Sequence, residues 1–223
     1  MKTVAFVPYW LGYRQNQKEH KNLKKLGGKY LINYTLQLLN KVPQVDQTYI
    51  YCSDIKILDY LDSDANYEYL QRPASLDTED AAIEDIIDAF LAQVEADVVV
   101  LIHPNSPFLQ PKTLSKCIEA VKSEGYDSAL TAFRFEKLSW FDGKPLNYSL
   151  DKPIPKLSSI TPVIFEQSSV YVFRRDSYYE SRKRIGKNPF FNFIDHFEGH
   201  EVNTPDDYTI AELIVNSGMF WDV

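Results

Sequence analysis

Apolar residues in this chain follow two rhythms that alternate from the first residues onward. Short β-branched and aromatic runs have the length and composition of strands: TVAFV (3–7), TYIYC (48–52), YEYL (67–70), DVVVLI (97–102), SALTAF (128–133) and SVYVF (169–173). Between and after them a period near 3.6 predicts helices over 31–40, 55–62, 79–95, 111–123, 176–184 and 205–217. The clearest is 79–95, where Ile83, Ile86, Ile87, Phe90, Leu91 and Val94 form one stripe; Thr78 is placed to cap it, with Glu79 and Asp80 suited to the helix dipole. The last helix opens with Thr204, Pro205, Asp206 and Asp207: a cap, a first-turn proline and two acids.

Strand and helix in alternation predict a single α/β domain over 1–223, its mostly parallel sheet covered by helices on both faces. The continuously apolar DVVVLI suits a central strand. In such sheets ligands bind outside the carboxyl ends of the strands. That rule brings two segments to the site: VPYWLGYRQNQKEHKNL (7–23), which leaves the first strand, and HPNSPF (103–108), which follows the central one. Regularity fails over 134–167, which holds four of the 12 prolines together with Trp140, Phe141, Tyr148 and Ile154. A segment that long is expected to be a functional arm or lid or else disordered, and its aromatics favour packing on a second subunit of a homodimer.

Charge sharpens this picture. The net charge is −7, yet residues 14–29 carry six of the 24 cations and one acid, while 54–97 carry 13 acids and two cations. An acidic protein with no broad basic face is not built to bind nucleic acid nonspecifically. A local basic patch suits a small anion such as a nucleoside triphosphate, or else forms a solvated face. No apolar stretch is long enough for a membrane span. Cys52 and Cys117 fall in apolar patterns and read as reduced core thiols, so a cytoplasmic location is expected.

The common phosphate-loop, zinc and hydrolase motifs do not occur in the sequence. A collinear series of short motifs does: VPYW (7–10), Lys21-Asn22, GGKYLI (27–32), Arg72-Pro73-Ala74-Ser75-Leu76, Ile102-His103-Pro104-Asn105-Ser106-Pro107, Glu166 to Phe173, and Glu201-Val202-Asn203-Thr204-Pro205-Asp206-Asp207 followed by Ala211-Glu212. Nearly the whole chain in this way resembles the cytidylyltransferases that activate sialic acids and related sugar acids, the CMP-N-acylneuraminate synthetases.

The resemblance implies a Rossmann-like, GT-A-like nucleotidyltransferase fold. It also implies transfer of CMP from CTP to a nonulosonic or related sugar acid, with release of pyrophosphate and Mg²⁺ as cofactor. Lys21 inherits the role of a cation that neutralises phosphate charge; Asn22, Arg72 and Ser106 are expected at the nucleotide. His103, Ser168, Phe190 and Phe191 are expected at the sugar, and Glu201 and Asn203 at the metal. Several have a simpler reading beside them, as Ser106 can merely shape its turn. Arg72 can be a surface cation before a kinking proline, His103 a satisfied structural group, Phe190 and Phe191 core, and Asn203 an aid to starting the last helix.

Three positions depart from the family pattern. VPYW stands for Ile-Pro-Ala-Arg, so the early arginine is missing and Arg14 is the candidate replacement. The metal pair Asp-x-Asp is here Glu201-x-Asn203, with one formal charge in place of two. The glycine of the pocket motif is Ser169. These departures keep two other readings open, a non-catalytic nucleotide-binding homologue and a sugar-nucleotide-dependent glycosyltransferase of related fold.

Overall fold

The structure, a computed structural model, describes residues 1–11 and 23–218. In chain order it contains β1 (Thr3–Tyr9), β2 (Lys25–Leu26), β3 (Lys29–Tyr30), α1 (Leu31–Asn40), β4 (Gln47–Cys52), β5 (Glu68–Gln71), α2 (Ile83–Leu91), β6 (Val98–Ile102), α3 (Pro111–Ser123), β7 (Ser128–Phe135), β8 (Trp140–Phe141), β9 (Lys144–Pro145), β10 (Val163–Arg174), α4 (Arg175–Ser181), β11 (Pro189–Phe193) and α5 (Pro205–Asn216). Seven strands form one sheet in the order β11-β7-β10-β6-β1-β4-β5. Six run in one direction; β10, between β6 and β7, runs against both. This is the expected mostly parallel sheet.

Both faces of the central strands are sealed, which is why those strands read as unbroken apolar runs. Ala5 and Val7 of β1, with Val98, Val100 and Ile102 of β6, pack beneath α1 and α3 through Ile32, Leu36, Leu39, Leu114, Cys117 and Ile118. The alternate residues Val4, Phe6, Val99 and Leu101 meet Ile87, Phe90 and Leu91 of α2 and Tyr178 of α4 on the opposite face. Phe6 stacks on Phe90 at 4.2 Å, and Tyr51 closes edge-on against both rings. A smaller apolar cluster ties α5, through Ala211, Ile214 and Val215, to Leu26, Leu31, Phe108 and Val202. Thr204 caps α5 as its sequence indicates: its side chain accepts from the Asp207 N–H at 3.2 Å, and Asp207 accepts from the Thr204 N–H at 2.7 Å.

Four elements differ from expectation. Helix α2 starts at Ile83 behind Ala82 rather than at Glu79 behind Thr78. The preceding residues are engaged elsewhere: Ala74–Leu76 form a 3₁₀ turn, and Asp77 accepts from both Arg72 and Ser53. Residues 55–62, expected as an α-helix, form a 3₁₀ helix at Ile55–Tyr60 with Asp54 as its cap. Phe190 and Phe191 belong to a strand, β11, that period and length do not announce. The 134–167 arm is also narrower, because Phe135 still belongs to β7 and β10 already begins at Val163. Between them, β8 and β9 form a hairpin whose turn residues Asp142 and Gly143 both have positive φ, 47° and 70°. Asp-Gly is the pair that such a two-residue turn favours. Asn147 fastens its base with bonds to the Ser139 N–H and to the Lys137 and Thr161 carbonyls.

Candidate active site

The carboxyl ends of β1, β4, β5 and β6 lie side by side, so the segments leaving them share one edge of the sheet. At the end of β1, Tyr9 is buried next to Cys52, and its hydroxyl has no hydrogen-bond partner among the described residues. Burial, with the charges of Cys52 and Tyr60, raises its pKa and keeps the phenol neutral. Leu11 and Leu23, which bracket the polar run, both pack on the core beneath α1. Arg14, Lys21 and Asn22 fall between them and lie outside the described residues.

Arg72 is not a surface cation. It is 3% exposed, its N–H donates to the Cys52 carbonyl at 3.0 Å, and its guanidinium is paired with Asp77, which Ser53 also engages. Ser53 Oγ, donating to the other oxygen of the same carboxylate, fixes the direction of the pair. Arg72 Nε has no hydrogen-bond partner among the described residues, which leaves a buried donor beside the strand ends.

On the other side of β1, the loop after β6 meets a distortion in β10. Between Thr131 and Leu130 strand β7 advances by one residue while β10 advances by four, from Gln167 to Tyr171. The extra residues form a bulge. The His103 N–H donates to the Ser169 carbonyl at 2.8 Å, which sets the half-buried His103 beside the bulge. Ser106 is buried and shares a hydrogen bond with Ser169. Ser168 presents its backbone N–H to Glu201 Oε1 at 2.8 Å. The expected residues His103, Ser106, Ser168, Glu201 and Asn203 are thus brought together, by strands far apart in sequence.

Glu201 and Asn203 sit on an extended stretch with buried Val202 between them, and Asn203 Nδ2 donates to Glu201 Oε2 at 2.8 Å. Asn203 Oδ1 accepts from Asn105 Nδ2 at 3.0 Å, and the Asn105 carbonyl accepts from the Val202 N–H at 2.7 Å. An amide N–H therefore lies against Glu201 where the resemblance implies a second carboxylate. Among the described residues no three His, Cys, Asp or Glu side chains gather as a metal site. One carboxylate with both oxygens hydrogen-bonded is a weak seat for a hard divalent cation.

Of these groups Glu201 and Asn203, together with Gln167, line a cleft of about 790 Å³. Its walls are aromatic: His196 lies 4.9 Å from Phe133 and 5.0 Å from Phe135, ring centre to ring centre, and Phe165 meets Phe135 edge-on at 5.2 Å. Lys137 adds a cation above the Phe135 ring. Gly199 passes so close to Phe133 that an added Cβ would come within 2.5 Å of the ring. Phe190 and Phe191 do not line this cleft. They alternate on β11, Phe190 packing on the α1–α3 face with Tyr126 and Phe191 on the opposite face. The aromatic walls of the cleft, Asn105 and Gln167 were not singled out from the sequence.

A sequence model of the cytidylyltransferase family matches residues 19–198. The chain belongs to that family. CMP-N,N'-diacetyllegionaminic acid synthase of Legionella pneumophila is 24% identical to this cytidylyltransferase over 231 residues, 96% of this chain and 97% of the relative. Among solved structures, a CMP:2-keto-3-deoxy-manno-octonic acid synthetase complexed with CTP superposes with a TM-score of 0.71 at 15% identity, covering 98% of this chain and 100% of that one. A 4-diphosphocytidyl-2C-methyl-D-erythritol synthase from Anaerococcus prevotii follows with a TM-score of 0.65 at 13% identity, covering 96% of each chain. At those identities the likeness establishes the fold alone.

Two thiols and one acid of this cytidylyltransferase are shaped by burial. Cys52 and Cys117 are free and buried; the Cys117 thiol is pushed up to about 12, so neither is poised for chemistry. Glu198 is buried and accepts from the Gln110 N–H at 3.1 Å, just ahead of α3. Burial pushes its carboxyl above the usual range despite opposing bonds from Thr113 and Gln110. A raised folded-state value favours the protonated form. Its contribution to stability is complete below the unfolded carboxyl's pKa and is lost as pH rises through the folded value. Glu198→Gln keeps an acceptor and removes the charge. Wild type should therefore lose thermal stability relative to Glu198→Gln over the pH range from the ordinary carboxyl pKa upward. Paired melting curves check this, and a constant gap across that range would show that the buried carboxyl does not titrate abnormally.

Proposed function

We propose that this cytidylyltransferase transfers CMP from CTP to the anomeric hydroxyl of a nonulosonic or related sugar acid. The observation that carries the reading is the match, over nearly all of both chains, to a protein named as a CMP-diacetyllegionaminic acid synthase. The cleft supports it, because its volume suits a small-molecule site and its walls offer aromatic faces and a cation to an acidic sugar. The sugar oxygen attacks the α-phosphorus of CTP. The bond from that phosphorus to the oxygen bridging to the β-phosphate breaks, pyrophosphate leaves, and the hydroxyl proton passes to solvent or a basic group. Such displacements are driven by positioning and charge neutralisation. Lys21, with Arg14 replacing the family's early arginine, supplies cations to the phosphates, and Asn22 supplies an amide. Arg72, braced by Asp77, and Ser106 hold the nucleotide side; His103 and Ser168 face the sugar side. The free thiols suit a cytoplasmic setting.

Mg²⁺ is the proposed cofactor; when bound it would neutralise charge on the triphosphate. Glu201 would be the chain's charged ligand for it, on releasing the hydrogen bonds that hold its oxygens. Asn203 contributes a neutral oxygen only by giving up its bond to Asn105. The arm supports a homodimer: Trp140, Phe141, Leu150 and Ile154 are 55–73% exposed, and an apolar surface of that kind is expected to be covered by a second copy.

Binding, turnover, metal titration and sedimentation test these assignments. CTP with Mg²⁺ should stabilise the fold more than UTP, by roughly 2–3 kcal/mol at about 100-fold excess over Kd, and pyrophosphate release should require a nonulosonic acid. Lys21→Ala should lower turnover by on the order of 10²-fold. Equal shifts for every nucleotide and no release with any sugar acid would remove the assignment. For the metal, Asn203→Asp should reach half-saturation at about tenfold lower Mg²⁺, whereas curves unchanged by both Asn203→Asp and Glu201→Gln take the metal away from this site. For the assembly, sedimentation should give twice the 25.8 kDa chain mass, falling to one chain in Phe141→Asp; a monomeric wild type overturns the dimer.

A further inference from the structure

Gln167 occupies an unusual position for an uncharged side chain. It is 1% exposed, lies in the bulge of β10, and is the point where four separate segments meet. Thr131 Oγ1 donates to its Oε1 at 2.7 Å, and the Ser169 N–H donates to the same oxygen at 3.3 Å. Those donors fix which way the amide faces. Nε2 is then directed at Ser106 Oγ (3.3 Å), Ser169 Oγ, the Gly199 carbonyl (3.3 Å) and Glu201 Oε1 (3.1 Å). Two hydrogens are offered four acceptors, so the donor side is fully engaged. Glu201 Oε1 is thereby clamped between this amide and the Ser168 N–H, while Asn203 holds the other oxygen. No Lys or Arg forms an ion pair with Glu201 among the described residues.

We propose that Gln167 is a positioning residue: through the carboxamide that Thr131 orients, it sets the rotamer of Glu201 and couples that carboxylate to the Ser106 loop. The proposal rests on Glu201 belonging to the active site argued above. A buried network of this kind is stiff when every member is satisfied and fails when one partner is lost. A polar residue that merely filled space would leave the Glu201–Ser168 contact intact when replaced by an apolar residue of similar length.

The test separates these cases and does not depend on turnover alone. Hydrogen exchange at the Ser168 amide reports directly on its bond to Glu201. In Gln167→Met that exchange should accelerate about tenfold or more, the scale of a lost hydrogen bond to a charged group. Glu201→Gln should have a similar effect, and the double variant should show no further gain, because both changes break one linkage. Thr131→Val, which removes only the group that orients the amide, should shift the same signal in the same direction; it carries the test if Gln167→Met does not fold. In activity assays Gln167→Met should lower kcat by about tenfold with little change in KM for CTP, and again not additively with Glu201→Gln. Unchanged exchange at Ser168 in both variants, or additive effects in the double variant, overturns the proposal. If wild type shows no turnover with CTP and any sugar acid while the exchange coupling holds, the functional assignment fails and the positioning role stands.

Discussion

A carboxamide sealed inside an apolar sheet has one oxygen and two N–H hydrogens to satisfy, and each group left bare costs on the order of 1–3 kcal/mol. At Gln167 that demand is met by Thr131 on β7, the Ser106 loop after β6, the bulge of β10 itself and the segment that leads into α5. None of these is near another in sequence apart from Gln167 and Ser169. Their mutual arrangement follows from the demand, and the cleft end of the molecule is arranged around it. The bulge has the same origin, because the additional residues in β10 free Ser168 to present its N–H to Glu201 while Gln167 and Ser169 remain inside.

The rest of the sheet supplies the frame for that junction. β1 and β6 bury both faces, so their ends cannot shift without disturbing two apolar layers at once. Arg72 on one side of β1 and the Ser106 loop on the other are therefore held apart by a fixed stretch of packed sheet. The two sides are braced differently. Arg72 relies on an ion pair with Asp77 that Ser53 orients, whereas the Glu201 side relies on neutral amides and hydroxyls.

Local pattern revealed what local forces decide. Helices α1 and α3 begin and end where their apolar stripes do, and the Thr204 cap has the geometry its sequence implies. Helix α2 starts late because Asp77 serves Arg72 and, 24 residues away, Ser53, a use that helix propensity cannot register. The reversed direction of β10 was not legible either, since alternation of side chains is the same in both directions. β11 escaped because five residues with an internal Asn192 carry no period; that asparagine is satisfied by the Thr113 carbonyl across the layer. The site divided in the same way. Glu201, Asn203, Ser106 and His103 could be placed through ordered motifs. Gln167 lay within one of those motifs, yet its importance depends on partners 32 to 61 residues away that no window of sequence joins.

The two borders of the sheet have a consequence for how copies of this chain can meet. β5 contributes four residues and β11 five, and β11 opens with Pro189, which has no N–H to offer. Borders so short, one of them blunted by proline, give an approaching strand little to zip onto. Such edges favour association through fitted side chains, the mode proposed for the arm, over pairing of strands. Strand-by-strand growth of the sheet into a larger aggregate is disfavoured at both ends.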